Sequence, residues 1–374
     1  MPGVRDLLRA DVWDFEEYGA PEPLEEFAAR QGVAIDQVDK LDQNENPYGC
    51  SPKVREALAA CDLLSIYPDP LARRSRALLE EYVGIGRERI VVGNGSDELI
   101  EVLFRLFLRP GDRVMSFTPT FGYYPTVAAT CAAEYVGLPR RADWSIDVEA
   151  ALEALAEDDR APERRTKIVI VTSPNNPTGS LTALGDVERL LSTGRLVVVD
   201  EAYFEFAGQT ALPLASDYDN LVILRTFSKW AGLAGVRIGY GVFPEWLLAQ
   251  VFKFKPPYGL SVTGQVALEA SLADRAYLRT TVDRMIAERG RLSELLAATG
   301  LLRVYPSAAN FVLTELAEAV GTLTAASVRR RLEDRQILVR AYSDPRLRRA
   351  IRFSVGRPEQ TDRLVNALRE IGRG

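Results

Sequence analysis

Apolar and polar residues alternate along the chain in a way that predicts strands separated by helices. Six short runs rich in valine and isoleucine are the predicted strands: residues 89–93 (RIVVG), 112–117 (DRVMSF), 167–173 (KIVIVTS), 195–204 (RLVVVDEAYF), 221–227 (LVILRTF) and 236–242 (VRIGYGV). After the first run, a helix is predicted from an apolar face at helical spacing, formed by Leu99, Ile100, Leu103, Phe104 and Phe107. Strands that alternate with helices favour a mainly parallel sheet covered by helices on both faces.

The pattern changes after about residue 263, where long amphipathic helices replace the alternation of strand and helix. Weaker strand signals follow within NFVLTEL (310–316), ILVRAY (337–342) and AIRFSVG (350–356). We therefore predict two domains. Residues 42–262 would form a large α/β domain, and residues 1–41 and 263–374 would form a smaller α+β domain with an N-terminal arm.

The composition of the 374 residues limits the chemistry that is open to the protein. Histidine is absent, which excludes Ser-His-Asp triads, Cys-His pairs and histidine-based metal sites. The three cysteines fit neither a disulfide framework nor a zinc pattern, so we expect no metal. The net charge of −6 comes without a basic block, which argues against a nucleic-acid partner. Because no signal peptide and no membrane-spanning apolar run is found, we expect a cytoplasmic protein with no membrane partner.

Unusual polar residues follow three of the predicted strands, where the loops of a parallel sheet form a binding crevice. GNGSD at residues 93–97 leads from a strand into a helix start, with Ser96 or Asp97 as the N-cap. This turn suits a phosphate group, although a capped turn without a ligand is the alternative. SPNNPTG at residues 173–179 can present side-chain amides or be a surface turn. Asp200 follows three valines, where a carboxylate is costly to bury unless it meets a cation; an N-cap or an edge ion pair is the alternative.

Lysine is scarce in this sequence, with six lysines against forty arginines, yet Lys229 lies in a loop directly after a predicted strand. A surface position is the default for any single lysine. A lysine in a poorly hydrated cleft instead has a lowered pKa and attacks carbonyl groups as the neutral amine. Taken with the phosphate turn, the amide loop and Asp200, Lys229 matches the needs of pyridoxal 5′-phosphate (PLP). That cofactor takes a lysine for its aldehyde, a carboxylate for its ring nitrogen and donors for its phenolic oxygen.

The chain resembles the fold-type I PLP-dependent aminotransferases, most closely the histidinol-phosphate aminotransferase branch, in segments that occur in the same order: NENPYG, YPD, GNGSDELI, PTFGYY, SPNNPTG, VVVDEAY, RTFSKWAGLAGVRIGY and IRFSVG. The resemblance extends from about residue 18 to residue 357. It implies an α/β fold whose large domain has a mainly parallel seven-stranded sheet between helices, beside a smaller α+β domain. It also implies a homodimer.

The resemblance assigns roles to residues at matching positions. Lys229 would bind the cofactor aldehyde and move a proton, Asp200 would pair with the ring nitrogen, and Tyr203 would donate to the phenolic oxygen. The further cofactor contacts that it implies are Gly95, Ser96, Asp97, Phe121, Asn176, Thr226, Ser228, Arg237 and, from the other subunit, Tyr67. The implied substrate contacts are Tyr18, Asn46, Tyr67, Arg340 and Arg352, with Arg352 on a carboxylate and Tyr18 and Arg340 on a phosphate.

The activity implied by the resemblance is transamination between histidinol phosphate and 2-oxoglutarate, in histidine biosynthesis. The partners would then be a small-molecule amino donor and a 2-oxo acid. Two alternatives share these motifs: an aromatic or broad-range amino-acid aminotransferase, and a lyase similar to threonine-phosphate decarboxylase. A PLP-fold module of a transcription regulator is a third alternative, which we do not favour because the segment before NENPYG is acidic overall and only about forty residues long.

Overall fold

A seven-stranded sheet forms the centre of the computed structural model, which describes residues 3–15, 19, 21–160, 165–318 and 321–373. Its strands are β2 (Ile90–Gly93), β3 (Arg113–Thr118), β4 (Glu134–Pro139), β5 (Thr166–Thr172), β6 (Leu196–Asp200), β7 (Leu221–Thr226) and β8 (Gly239–Val242). They lie in the order β2-β8-β7-β6-β5-β3-β4. Strand β8 runs antiparallel to both of its neighbours, and the other pairs are parallel. The predicted α/β fold with a mainly parallel seven-stranded sheet is thus confirmed.

A second, five-stranded sheet combines one strand from near the N-terminus with four from the last quarter of the chain. Its strands are β1 (Asp39–Leu41), β9 (Leu302–Val304), β10 (Phe311–Leu316), β11 (Ile337–Ala341) and β12 (Ala350–Ser354), in the order β1-β11-β12-β10-β9. Strand β1 is parallel to β11, and the remaining pairs are antiparallel. The limits of the two predicted domains, 42–262 against 1–41 and 263–374, stay a prediction.

Helices cover both sheets. They are α1 (Leu24–Gln31), α2 (Pro52–Ala59), α3 (Arg73–Val83), α4 (Gly95–Phe107), α5 (Tyr123–Thr130), α6 (Val148–Asp158), α7 (Leu184–Leu191), α8 (Phe204–Ala207), α9 (Glu245–Phe254), α10 (Val262–Leu272), α11 (Arg275–Ala297), α12 (Ala325–Glu333) and α13 (Pro358–Arg373). Among the described residues, no helix combines the length and the apolar character that a bilayer crossing requires.

The buried strand β5 shows how the sheet separates two apolar layers. Ile168 and Ile170 pack in one cluster with side chains of α4 and α9, whereas Val169 and Val171 pack in a second cluster with side chains of α6 and α7. Successive side chains of a strand point to opposite faces, so a continuous apolar run is what a strand covered on both sides requires. The polar residues at the strand ends are therefore held on a rigid, fully covered scaffold.

Two predicted strands are shorter than expected, because the backbone turns at a polar residue. The run 195–204 stops as β6 at Asp200, whose side chain accepts a hydrogen bond from the Ala202 backbone (3.1 Å), and α8 follows. The run 236–242 starts as β8 only at Gly239, since Arg237 has a φ of 57°, outside the extended region. Strand β4 was not predicted; it lies at the sheet edge and its residues are only partly buried.

The predicted N-cap of α4 was wrong. The helix begins at Gly95, so Ser96 and Asp97 lie within its first turn, and the N-cap position is Asn94. The side chain of Asn94 does not cap the helix. Instead, the Glu98 carboxylate accepts a hydrogen bond from the Asn94 backbone N–H (2.8 Å). The first turn is thereby left free to present Ser96 and Asp97 to the neighbouring loop that carries Arg237.

Candidate active site

Three neighbouring parallel strands deliver predicted site residues to one edge of the seven-stranded sheet. Strand β6 ends at Asp200, strand β7 ends at Thr226, and the loop after β5 carries Asn176. The pairing register sets Thr172 of β5 beside Asp200 of β6. Since the carboxyl ends of parallel strands open into the same crevice, these side chains converge.

Asp200 is a buried carboxylate without a counter-charge. Its side chain is 4% exposed and accepts hydrogen bonds from the Tyr124 hydroxyl (2.7 Å) and the Ala202 backbone (3.1 Å). No lysine or arginine of the described chain pairs with it, and burial raises the pKa of Asp200 to about 6. A carboxylate in this position fits a cationic group such as the protonated ring nitrogen of PLP. Sequence reasoning missed Tyr124, because the contact joins residues 76 positions apart.

Lys229 lies in the loop after β7 and is half-buried in the cleft. Its Nζ donates to the backbone carbonyl of Gln43 (3.1 Å) and forms no ion pair with a residue in the described ranges. Burial, with a smaller effect of the positive charge of Arg352, lowers the pKa of Lys229 to about 8. A sizeable fraction of the amine is therefore neutral near pH 7.5 and able to attack an aldehyde.

The predicted phosphate contacts meet around the guanidinium of Arg237. Its Nη2 donates to Asp97 Oδ2 (2.6 Å), and its Nη1 lies 3.4 Å from Ser228 Oγ. The Ser228 backbone in turn donates to Thr226 Oγ1 (3.1 Å). The first turn of α4, the end of β7 and the turn before β8 thus meet at one point, which offers hydroxyl, guanidinium and helix N-terminal donors to an anion.

Two glycines let these segments approach closely. Gly95 has a φ of +81°, and a Cβ there would lie 2.7 Å from Arg237 Nη2. A Cβ on Gly239 would lie 2.2 Å from the Ser96 backbone nitrogen. The Arg237 guanidinium occupies the space beside Gly95, and the backbone of α4 occupies the space beside Gly239, so both positions exclude a side chain. The geometry fits a phosphate held by backbone N–H groups, as the sequence motif predicts.

Arg352, Asn176 and Tyr203 lie together on the other side of the cleft. Arg352 Nη1 donates to Asn176 Oδ1 (2.5 Å), and its guanidinium lies over the Phe311 ring, 5.3 Å from the centroid. The Tyr203 ring meets the same Phe311 edge to face at 5.1 Å. Tyr203 is 4% exposed, and its hydroxyl accepts a hydrogen bond from Asn44 Nδ2 (3.0 Å).

The segment 42–46 contacts residues of both sheets at the site. The Asp42 carbonyl accepts a hydrogen bond from Arg352 Nη2, and the Gln43 carbonyl accepts the one from Lys229. Asn46 Nδ2 donates to the backbone carbonyl of the residue after Lys229 (2.8 Å). The amide of Asn46 thereby holds the lysine loop, and its predicted contact with the substrate stays a prediction. Asn44 of the same motif, not singled out from the sequence, reaches Tyr203.

Arg340 and Arg352 face each other on adjacent strands. They are directly paired in the antiparallel register of β11 and β12, so both side chains leave the same face of the sheet. Arg340 is half-buried and makes no hydrogen bond or ion pair with any residue that the structure describes. Two arginines on one face of the sheet, one of them without a partner among those residues, are chemically suited to an anionic group.

One predicted residue of the described chain, Tyr67, does not join this cluster. Tyr67 is 79% exposed, and its ring stacks on Tyr258 with 4.6 Å between centroids. Tyr18 lies outside the described residues. Phe121 does lie beside the site, where its ring meets the edge of Tyr124 at 5.5 Å, next to the carboxylate of Asp200.

Comparison with known proteins agrees with this geometry. Residues 36–368 match the family model described as aminotransferase class I and II. The chain belongs to that family. This aminotransferase is 45% identical over 377 residues to the histidinol-phosphate aminotransferase of Roseiflexus castenholzii, covering 99% of this chain and 100% of the relative. It is 39% identical to the chloroplastic histidinol-phosphate aminotransferase 1 of Arabidopsis thaliana, covering 98% of this chain and 86% of that one.

Solved structures agree as well. The crystal structure of histidinol-phosphate aminotransferase from Sinorhizobium meliloti in complex with pyridoxal-5′-phosphate matches the aminotransferase with a TM-score of 0.85. Its sequence is 28% identical, and the match covers 98% of this chain and 97% of that one. L-threonine-O-3-phosphate decarboxylase from Porphyromonas gingivalis, at 22% identity and a TM-score of 0.76, shows a shared fold alone. The predicted family and the predicted class of enzyme are confirmed.

Proposed function

We propose that this aminotransferase uses PLP to exchange an amino group between histidinol phosphate and 2-oxoglutarate. The observation that supports the cofactor is that one crevice holds both a buried Asp200 without a counter-charge and a half-buried Lys229 of lowered pKa. The substrate is supported by full-length relatives named histidinol-phosphate aminotransferase and by the arginine pair of β11 and β12.

The cofactor would be held by residues from four loops. Its aldehyde would react with Lys229 Nζ, its ring nitrogen would pair with Asp200, and its phenolic oxygen would accept from Tyr203 and Asn176. Its phosphate would lie at the first turn of α4, with Gly95, Ser96 and Asp97, and against Thr226, Ser228 and Arg237. Phe121 would cover one face of the ring. When bound, PLP supplies an electron sink for the negative charge that develops on the substrate carbon.

Proton transfer would fall to Lys229. Its Nζ would take the proton from the substrate carbon and hold it in the cleft for return. Its lowered pKa keeps a fraction of the amine unprotonated for this task, and the Gln43 carbonyl holds it in the cleft. Asp200 would keep the ring nitrogen protonated, because an ionised carboxylate beside that nitrogen favours its cationic form.

The two arginines would serve both half-reactions. Histidinol phosphate carries a phosphate where glutamate carries its α-carboxylate, so one pocket has to bind either anion. Arg352 is fixed by Asn176 and the Asp42 carbonyl, which gives it a defined orientation for a planar carboxylate. Arg340, which has no partner among the described residues, would add the second guanidinium that a phosphate needs. Tyr18 and Asn46 would complete the substrate contacts.

The active unit would be a homodimer, in which Tyr67 reaches the partner's site. Support comes from a run of exposed apolar side chains, in which Leu63, Leu64, Ile66 and Tyr67 are 53%, 71%, 60% and 79% exposed. Tyr258, stacked on Tyr67, extends this surface. Such a contiguous apolar surface is typical of an interface.

The cytoplasmic location expected from the sequence also stays a prediction.

Purified protein loaded with PLP tests the proposal. We expect visible absorbance in the wild type and in the surface control Lys253→Ala, and none in Lys229→Ala. Histidinol phosphate should be consumed only when 2-oxoglutarate is present, and much faster than histidinol or phenylalanine. Turnover of phenylalanine without a gain from phosphate would point to an aromatic aminotransferase. Release of carbon dioxide from threonine phosphate without an oxo acid would point to a lyase.

A further inference from the structure

We propose that Asn44 and Ser354 form a directed hydrogen-bond relay that makes Tyr203 an obligatory donor to the phenolic oxygen of the cofactor. The inference rests on the proposed use of PLP. Asn44 and Ser354 are positioning residues, since they touch Tyr203 and each other and act on the cofactor through the tyrosine alone. The relay joins the segment after β1 to the end of β12 and to the loop after β6.

Three short contacts define the relay. The Asn44 backbone N–H donates to Ser354 Oγ (2.8 Å), Ser354 Oγ lies 2.9 Å from Asn44 Oδ1, and Asn44 Nδ2 lies 3.0 Å from the Tyr203 hydroxyl. The three side chains are 1%, 2% and 4% exposed, in the order Asn44, Ser354, Tyr203. Water is thus largely excluded, and each polar atom depends on its protein partner.

The geometry assigns a direction to each proton. A backbone N–H can only donate, so Ser354 Oγ accepts there, and its own hydrogen points to Asn44 Oδ1, an oxygen that can only accept and lies 2.9 Å away. Because that oxygen is occupied, the amide NH₂ faces Tyr203 and donates to the phenol oxygen. Tyr203 therefore accepts from Asn44, and its own hydrogen needs another acceptor. No described residue accepts it.

The hydroxyl hydrogen of Tyr203 is available to donate to the phenolic oxygen of PLP, which carries negative charge. If the Asn44 amide were reversed, its oxygen would accept the tyrosine proton, and the cofactor would lose a donor. The Ser354 hydroxyl opposes that reversal, because its hydrogen would then lose Asn44 Oδ1 as its acceptor. The backbone from which the amide extends is itself held in place: Asn310 Nδ2 donates to the Asn44 backbone carbonyl (2.8 Å), and Asn44 has a φ of 57°, a conformation that asparagine tolerates well. Burial raises the pKa of Tyr203 to about 12, so the phenol keeps its proton.

The experiment compares two non-covalent ligands, pyridoxamine 5′-phosphate and its analogue with hydrogen in place of the phenolic hydroxyl. Calorimetry gives both dissociation constants, and their ratio isolates the phenolic oxygen. We expect the wild type to prefer pyridoxamine 5′-phosphate about tenfold, the effect of a hydrogen bond to a charged acceptor. Tyr203→Phe should reduce the preference severalfold and leave only the part that Asn176 supplies. Asn44→Asp, which keeps the shape and the backbone conformation but can only accept when ionised, should reduce it to the same extent.

Variants of Ser354 test the direction of the hydrogen bonds without the added charge of Asn44→Asp, and comparing alanine with threonine separates the hydroxyl from side-chain packing. Ser354→Ala frees the Asn44 amide to turn and should reduce the preference severalfold, whereas Ser354→Thr keeps the hydroxyl and should retain it. If the wild type binds neither ligand, the proposed function fails. If it binds pyridoxamine 5′-phosphate but Ser354→Ala and Asn44→Asp keep the full preference, the relay is overturned. Should Asn44→Asp fail to fold, the Ser354 pair decides alone.

Discussion

The Tyr124 hydroxyl donates to Asp200 Oδ2 at 2.7 Å, which ties helix α5 to the end of β6. Tyr124 is fully buried, and its oxygen also lies 2.9 Å from Thr172 Oγ1 on the neighbouring strand. The bond favours the ionised form of Asp200 and so opposes the effect of burial, which raises the pKa of that carboxyl. The tyrosine thus stabilises the charge that would hold the ring nitrogen of PLP.

Tyr124→Phe should therefore weaken PLP binding. Without this donor, Asp200 ionises less readily, and loss of one hydrogen bond to a charged group corresponds to about a tenfold rise in the dissociation constant. The loss should be larger at pH 6 than at pH 8, because the carboxyl already titrates near pH 6 in the wild type. Equilibrium binding of PLP across this range measures it. Tyr135→Phe, whose hydroxyl reaches Ser116 instead (3.2 Å), is the matched control and should bind as the wild type does.

The rate at which apoprotein takes up PLP covalently should rise with pH, with a midpoint near 8. The neutral amine of Lys229 is the reacting form, and burial lowers its pKa to about that value. Arg352→Gln removes a positive charge that lowers the pKa further, so its midpoint should move to higher pH. Stopped-flow absorbance follows the reaction. The exposed Arg357→Gln serves as control, and an unchanged midpoint in Arg352→Gln would contradict the assignment.

Arg340→Ala should reduce kcat/KM for histidinol phosphate by about thirtyfold, in line with the loss of charge-assisted hydrogen bonds to a phosphate. The glutamate half-reaction should fall much less, because Arg352 alone can grip a carboxylate with two parallel bonds. Single-turnover absorbance measurements with each substrate give the two values. Arg348→Ala, an exposed neighbour, should leave both unchanged. Equal losses for both substrates would remove Arg340 from the phosphate site.

Glu205→Gln should stabilise the protein at alkaline pH. Glu201 pairs with Arg225 (2.9 Å), whereas Glu205 forms no ion pair with the residues that the structure describes; its carboxylate accepts from the Tyr82 hydroxyl (3.3 Å), and burial raises its pKa to about 8. A carboxyl with a raised pKa contributes stability that is present below its unfolded pKa and is lost as pH rises towards 8. Melting temperatures should therefore differ by about 2 °C or more at pH 9 and converge at pH 5. The exposed Glu153→Gln should show no such pH dependence.

The sequence predicted the parts of the site that leave a local signal. Lys229 and Asp200 each follow an apolar strand, where a charged residue is unusual, and the glycines of GNGSD mark a tight turn before a helix. The edge strand β4 left no such signal, because its partly exposed residues lack an apolar run. The N-cap was misplaced because the turn at Gly95 lets the helix begin one residue before Ser96.

Contacts between distant residues could not be predicted in this way. Asn44 lies within the motif NENPYG, yet its partner Ser354 is 310 positions away, and no local pattern joins the two. Likewise Arg340 and Arg352 each belong to a weak strand signal, and only the register of β11 and β12 sets them side by side. These contacts depend on how the two sheets pack against each other. That packing is set by the whole folded chain, so no local stretch of sequence predicts it.

The short segment 42–46 sets the spacing between Arg352, Lys229 and Tyr203, because its few residues contact all three. Strand β1 anchors it in the five-stranded sheet beside β11, and within five residues its backbone and amides reach Arg352, Lys229 and Tyr203. One extra residue inserted between Leu41 and Asn44 would shift the carbonyls and the amide out of phase with all three. Lys229, in the loop after a strand of one sheet, and Arg352, on a strand of the other, are therefore spaced by a short stretch of backbone that contacts both.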